Sequence, residues 1–449
     1  MRYFKKSMQK KFSPVILGLF FLFSGFVIRS FAQEKEALHQ FGLQDCIHYA
    51  LQNQATVQNQ ILSESISQEN TKEVYSQLFP QISAGAKYQY TINRQVLLIG
   101  GKTIFVGLPQ NLQGFVNIKQ TLFDPALLGS SLGALLQENL AKENTQLSKI
   151  DLVAGVMKAY YGILVFREQL NLLDTNITRT EKSLHDTKYQ YQNGLAKKVD
   201  VDRIQVLVNN AVTQKANALR NLNTLMQSLK YYMGMPVKDS LDITGAIADS
   251  LVTEVSPVTD SQFYNSRVEY LRAKTELEMS QLLKDNVVRS YLPTLSAFYT
   301  YEAPFYGNTF NRMFGIIFHP TSYVGLQLAI PVFSGLKKHY QYQAAKMNVE
   351  ISKNNLHDLK NNIELEYGKY YRQYQNDMDN LKTQKENIKL AKLNYNNLKY
   401  QYDNGVQPLI GVLNAEATLL QAQNNYINAL YETLINKVDL DKSLGQIKY

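Results

Sequence analysis

The 449-residue chain contains no tryptophan and a single cysteine, Cys46. One thiol excludes a disulfide framework within the chain. Leu43-Gln44-Asp45 ahead of it is not a lipobox, so no acyl anchor is expected there. We read Cys46 as a buried thiol on the first helix, the usual fate of a free cysteine. His39, His48, His185, His319, His339 and His357 are scattered, with no pair four residues apart, so neither a metal centre nor a cofactor is expected. The longest apolar run, Val15–Ile28, falls short of the roughly 20 residues of a spanning helix. Proline is absent from Ala126 to Asn193 and from Ser334 to Asn404, which leaves two stretches free of helix breakers.

The apolar run follows Arg2, Lys5, Lys6, Lys10 and Lys11 and precedes Ser30-Phe31-Ala32. This is the pattern of a secretory signal cut after Ala32. Without residues 1–32 the formal charge falls from +9 to +3, so the basicity resides largely in the leader and a nucleic-acid partner loses its support.

The remaining chain repeats itself. Tyr189-Gln190-Tyr191-Gln192-Asn193-Gly194 returns as Tyr400-Gln401-Tyr402-Asp403-Asn404-Gly405, about 211 residues on. Phe79-Pro80 and Leu292-Pro293 each precede an alternating segment. Phe123 and Phe333 each end a second one, and Tyr160-Tyr161 and Tyr370-Tyr371 follow at equal distances. Met233-Gly234 and Leu444-Gly445 close the units. A period this long marks a duplicated half-protein and not a solenoid. Each half reads helix, strand, strand, helix, helix, an α+β arrangement. The segments are a leader at 1–32, a first repeat at 33–235, an irregular insert at 236–262 and a second repeat at 263–449.

The first helix is expected from Leu43 to about Leu78, ending before Pro80. Ile82, Ala84, Ala86, Tyr88 and Tyr90 then alternate with polar residues, as do Val116, Ile118 and Leu122. A Gly-containing loop is expected at about 92–112. Leu295, Ala297, Tyr299 and Tyr301, and then Val324, Leu326, Leu328 and Ile330, repeat the pattern. The proline-free stretches, about 70 residues each, predict helices of about 105 Å. Both stop at Asn-Gly, a left-handed capping signal. Helices from about 197 to 233 and 409 to 444 complete two antiparallel hairpins with tips at Gly194 and Gly405. Leu409, Val412, Leu413, Leu419, Leu420, Ile427, Leu430 and Leu434 recur at coiled-coil spacing.

Four strands of about 9–11 residues match the bilayer-crossing length. An open sheet edge in lipid leaves backbone groups unsatisfied, and about eight strands is the smallest usual barrel. Several chains are therefore expected to share one barrel.

At this point the chain resembles the TolC-like outer-membrane efflux proteins. The resemblance rests on Leu43-x-x-Cys46-Ile47-x-x-Ala50-Leu51-x-Asn53, Phe79-Pro80, Asn265-x-Arg267-x-Glu269, Tyr-x-x-Gly at both tips and Met233-Gly234-Met235-Pro236. It implies a homotrimer with a twelve-strand barrel in the outer membrane, its loops at about 92–112 and 302–321 outside the cell. It also implies a coiled-coil helical barrel in the periplasm, docked through the tips to an adaptor and an inner-membrane RND or ABC-type pump. Such a protein is a passive exit duct of efflux or type I secretion, not an enzyme. The family gate places Asp200 and Tyr402 in links between inner and outer hairpins; a helix-start role for Asp200 is the plainer alternative. Gly411 and Asn414 stand where the family carries aspartate rings, and Gln407 where it carries an arginine, so weak charge selection at the constriction is implied.

Other patterns have plainer readings. Gly129-Ser130-Ser131-Leu132-Gly133 matches a nucleophile elbow but lies inside a helix, not at a strand–helix turn. Gly100-Gly101-Lys102-Thr103 lacks the first P-loop glycine, where Val96 stands. The stripe Tyr367, Tyr370, Tyr371 and Tyr374 reads as packing between neighbouring helices more readily than as a conduit lining. A periplasmic adaptor is the rival function, since adaptors also carry helical hairpins, but it would lack the paired bilayer-length strands.

Overall fold

A computed structural model describes residues 40–247, 252–258, 263–313 and 319–449. The expected leader lies outside these residues, as do 248–251 and 259–262 of the insert and 314–318 of the second loop. The chain divides into units 1–40 and 41–449. Only Gln40 of the first is described, and the architecture below is that of the second.

The first half comprises β1 (Gln40–Phe41), α1 (Leu43–Asn53), α2 (Ala55–Ser76), β2 (Gln81–Tyr90), β3 (Gln95–Ile99), β4 (Lys102–Val106), β5 (Gln110–Phe123), α3 (Pro125–Gln192) and α4 (Lys198–Met233). After β6 (Asp242–Ile243), the second half adds α5 (Val268–Arg289), β7 (Thr294–Gly307), α6 (Phe310–Met313), β8 (Thr321–Ala329), α7 (Lys337–Asp403) and α8 (Leu409–Ser443).

Three expectations need correction. The first helix breaks at Gln54, which is extended at φ −72° and ψ 119°. Its side-chain oxygen accepts from the Thr56 N–H at 2.6 Å and so caps α2. The expected loop at 92–112 contains the β3–β4 hairpin, whose two-residue turn is Gly100-Gly101 at φ +61° and +77°. Positive φ at both central residues matches the strand twist and needs glycine. In the second loop, residues 302–307 still belong to β7.

The two long helices start differently. Asp124 accepts from the N–H groups of Ala126 and Leu127 at 2.9 and 3.2 Å, ahead of Pro125 at the first helical positions of α3. α7 is entered through Gly335 and Leu336, at φ 61° and 63°. With 68 and 67 residues, α3 and α7 are each about 100 Å long.

The main sheet is antiparallel in the order β2-β5-β7-β8. The halves meet at β5–β7, and among the described residues β2 and β8 keep one unpaired edge each. Register stacks like on like: Ile82 opposes Ile118, Ala84 opposes Val116, Tyr299 opposes Val324, and Ala297 opposes Leu326. That apolar face is exposed, with Val324 at 79%. On the other face Phe115 lies over Gly85 and Phe298 over Gly325; an added Cβ would sit 2.5 and 2.7 Å from the ring tips. Each edge-strand glycine is thus covered by a central-strand ring.

The core lies where α1 packs against α3 and α4. Cys46 and Ala50 meet Val153, Val156, Ile163, Val165, Leu229 and Met233 there. Burial, then the Asp45 charge, push the Cys46 thiol up to about 12. Gly234, at φ +69°, abuts the Asn53 carbonyl, and Gly445, at φ +67°, abuts that of Ser266. Each hairpin therefore returns onto the chain just ahead of an early helix of its own half.

Candidate functional site

The two tips share one geometry. Leu195 N–H donates to the Gln190 carbonyl at 2.8 Å and Val406 N–H to that of Gln401 at 2.9 Å. Gly194 and Gly405 both have φ +74°. These are Schellman closures requiring the left-handed conformation. No atom lies within 4 Å of a Cβ added at either glycine, so both tips are open.

The side chains that the resemblance pairs across the hairpins have separate partners. The Tyr402 phenol donates to Gln190 Oε1 at 3.1 Å, joining α7 to α3. Asp200, in the first turn of α4, faces Arg203 at 3.7 Å. Tyr402 also packs on a cluster of Leu184, Val201, Ile204, Val208, Leu409 and Leu413, drawn from α3, α4 and α8. An apolar seam backed by one phenol–amide bond thus joins the hairpins at their lower end. Gly411 is half-buried and Asn414 exposed. The nearest group to a Cβ at Gly411 is Gln407 Oε1 at 3.6 Å, so an amide occupies the surroundings of that position.

Sequence reading missed the polar seam above. Lys158–Asp439, Phe166–Tyr431, Asn176–Gln423 and Thr180–Glu416 follow one antiparallel register of α3 and α8. Glu416, only 2% exposed, accepts from Arg179 Nε at 3.1 Å and Thr180 Oγ1 at 3.2 Å. Arg179 also donates to Asn176 Oδ1 at 2.8 Å and lies 4.7 Å from the centre of the Tyr395 ring of α7. One charge on α3 therefore ties down two helices of the other hairpin. Nothing local signals this, because the partners lie 237 residues apart.

Other singled-out residues serve the framework. Ser131 is buried and donates to the Leu127 carbonyl at 3.0 Å. Gly129 admits the Asn286 side chain into a space that a Cβ would fill. The tyrosine stripe pins the insert: Tyr374 donates to the Thr253 carbonyl and Tyr367 accepts from Val258 N–H, both at 2.8 Å. Helix–helix packing alone was the expectation, and the insert is the added partner. In the Asn265-x-Arg267-x-Glu269 motif, buried Arg267 donates to both Glu269 oxygens, to Glu366 and to the Ser443 carbonyl. Burial opposes the charge on Glu269, but the Arg267 bonds outweigh it and hold this carboxyl below the usual range. Among the described residues no cluster of three or more metal-ligating side chains occurs.

An antiparallel sheet with two open edges, carried on helical hairpins of about 100 Å, is the architecture of an envelope channel. The outer membrane efflux protein family matches residues 46–235 and 294–446, one stretch in each half, and the chain belongs to that family. It is 21% identical to outer membrane protein TolC of Salmonella enteritidis, over 98% of this chain and 87% of that protein. It is also 21% identical to the alkaline protease secretion protein AprF of Pseudomonas aeruginosa, over 71% and 66%. The crystal structure of CusC superposes with a TM-score of 0.77 at 15% identity, covering 90% of this chain and 91% of that one. VceC of Vibrio cholerae gives 0.73 at 12% identity, covering 90% and 96%. The protein is an outer-membrane efflux or secretion channel with a periplasmic helical tunnel, and not an enzyme. The adaptor alternative falls with that assignment.

Proposed function

We propose that three copies close one twelve-strand barrel and one helical tunnel. The assembly is the exit duct of a tripartite efflux or type I secretion system. The observation that carries this is the pair of unpaired edges on β2 and β8. In lipid each unmade backbone bond would cost several kcal/mol, about the range for a polar group without a partner. Pairing β8 of one copy with β2 of the next removes both edges, and exposed Ile82, Val324 and Leu326 then face outer-membrane lipid. Residues 1–32 are removed on export, 33–235 and 263–449 form the repeats, and 236–262 lie beside the helices. The tips at Gly194 and Gly405 meet a periplasmic adaptor, and an RND or ABC-type inner-membrane pump supplies the energy.

The periplasmic end opens when the α7–α8 hairpin separates from α3–α4. Tyr402 on Gln190 and the Leu184–Leu413 cluster support this hinge line. Asp200 assists from the start of α4, and Gly411 and Asn414 mark an uncharged constriction. Native mass measurement in detergent should give a trimer. A stable folded monomer would remove the shared barrel and the duct with it.

A further inference from the structure

One face of the main sheet carries two glycine–phenylalanine pairs. Gly85 of β2 opposes Phe115 of β5, and Gly325 of β8 opposes Phe298 of β7. A Cβ at Gly85 would sit 2.5 Å from Phe115 Cζ and 3.0 and 3.1 Å from its two Cε atoms. One at Gly325 would sit 2.7 Å from Phe298 Cζ and 3.0 Å from its Cε1. Each ring therefore reaches sideways and fills the space that a side chain would take on the neighbouring strand. Neither glycine has the positive φ that favours this residue, so only the ring excludes a side chain there. A glycine inside a strand weakens it and marks a close approach. Here the group that approaches is the ring.

Inheritance from a common repeat does not account for the pairs. Gly85 lies five residues after Pro80, and Phe298 lies five after Pro293. Phe115 lies eight residues before Phe123, and Gly325 lies eight before Phe333. The two halves thus use the same two positions with the residues exchanged. In both, glycine falls on the outer strand and phenylalanine on the inner one. What the halves share is the direction of the ring, away from the β5–β7 centre and over the outer strand. The Phe298 ring is also held edge to face by Tyr323, with centroids 6.2 Å apart, and Tyr323 donates to Glu302 at 3.4 Å.

The same face carries Ser83, Lys87, Asn117, Lys119, Thr300 and Gln327, at alternate positions along the four strands. In the duct reading the opposite, apolar face meets lipid, so this polar face lines the bore. Strand side chains ordinarily stand roughly perpendicular to the sheet. An upright phenylalanine would project into the bore, and one laid over a glycine does not.

We propose that Gly85 and Gly325 set the width of the barrel: they let Phe115 and Phe298 lie against its wall, so that bulky solutes can leave. The assignment rests on the duct reading and names size-determining residues within it. Where β8 of one copy pairs with β2 of the next, the two glycine strands are neighbours, and a ring folds towards each junction from either side. A Cβ at both glycines would raise two rings per chain into an otherwise polar passage.

The test is reagent access to a thiol at Thr121, which is on the same face as Phe115 and lies between the rings and α3. The full-length channel carries Cys46→Ser and Thr121→Cys, and intact cells are treated from outside with maleimide-polyethylene glycols of increasing size. Gly85→Ala with Gly325→Ala should lower the size of the largest polymer that reacts, because the displaced rings stand in its way. Adding Phe115→Ala and Phe298→Ala should restore the original limit. The two phenylalanine replacements alone should leave the limit unchanged, since rings that lie flat obstruct nothing. Pairs that served only to stabilise the sheet would not give this pattern. An unchanged limit in the glycine variant overturns the proposal. So does a wider limit on removing the rings alone, which would mean that they already stand in the bore. If the double glycine variant does not assemble, each single replacement is read in its place; a smaller fall is expected, and no fall overturns the proposal. A trimer whose thiol reacts, with a limit that the glycine changes do not move, sinks the glycine assignment and leaves the duct reading intact. A folded monomer, or a thiol that no reagent reaches with both glycines present, sinks both.

Discussion

Replacing Glu416 by alanine should loosen the contact between the hairpins more than any single change at the tips. The carboxylate is 2% exposed and accepts from Arg179 and Thr180. Removing one member of a fully buried ion pair costs about 3–5 kcal/mol, because the other charge is left without its partner. The Arg179 side chain is 26% exposed and keeps Asn176 and the Tyr395 face, so water and these groups take up part of the loss. About 3 kcal/mol remains, which is roughly 100-fold in a local opening constant. Glu416→Gln keeps an acceptor for Thr180 and should cost about 1–1.5 kcal/mol, near tenfold. Hydrogen exchange of α8 amides between residues 409 and 423, read by mass spectrometry, measures both variants against wild type. If opening is limited at the tips, Tyr402→Phe with Asp200→Ala should raise planar-bilayer conductance, and Glu416→Ala should raise it further. Exchange within about threefold of wild type for Glu416→Ala, under 1 kcal/mol, would show that the buried pair does not hold the hairpins together.

Gly234→Ala should destabilise the fold by more than about 2 kcal/mol, because the new Cβ would meet Asn53 O at 2.6 Å in a left-handed backbone. Gly194→Ala, also left-handed but with open space around it, should cost only about 1 kcal/mol, and thermal melts of the two variants compare them directly. Glu269, whose carboxyl is held low in the fold, contributes stability that is present above the unfolded carboxylate range and is lost as pH falls through the folded value. Glu269→Gln should therefore flatten the acid limb of a stability–pH curve, and an unchanged limb would refute the assignment. Wild-type pores should be blocked only feebly by millimolar divalent cations, whereas Gly411→Asp with Asn414→Asp should create tight block; Gly411 has room for the side chain, its nearest neighbour being Gln407 at 3.6 Å.

Much of this fold is legible in the chain because the signals are local. Proline-free stretches delimit α3 and α7, Asn193-Gly194 and Asn404-Gly405 stop them, and period-two alternation marks β2, β5, β7 and β8. The β3–β4 hairpin was legible too, since Gly100-Gly101 between two apolar runs is a two-residue turn signal. The break at Gln54 carries neither glycine nor proline. It follows from tertiary packing, with Gly234 pressed against the preceding carbonyl. The Glu416 network and the Tyr402–Gln190 bond join residues 237 and 212 apart, and no spacing rule reaches that far.

The two copies of the repeat are buried unequally, which bears on the proposed assembly. α3 and α7 have nearly the same length and the same tip, yet α3 buries 20 residues and α7 only six. α3 is covered within its own chain by α2, α4, α5 and α8. α7 leaves Tyr340, Met347, Ile351, Leu365, Leu390 and Tyr400 more than half exposed. Most helical stability in proteins comes from packing an apolar face and not from propensity, so a 67-residue helix with that much open apolar surface calls for cover from another chain. The unpaired edges of β2 and β8 make the same demand at the other end of the molecule. In the trimer proposed above, a second copy pairing β8 with β2 would bring its own helices alongside α7, so one rotation could satisfy both. A contact that satisfied only the strands would leave the apolar face of α7 in water, and one that satisfied only the helices would leave the barrel open in lipid. Closure of the barrel and closure of the tunnel are therefore expected to be a single assembly step.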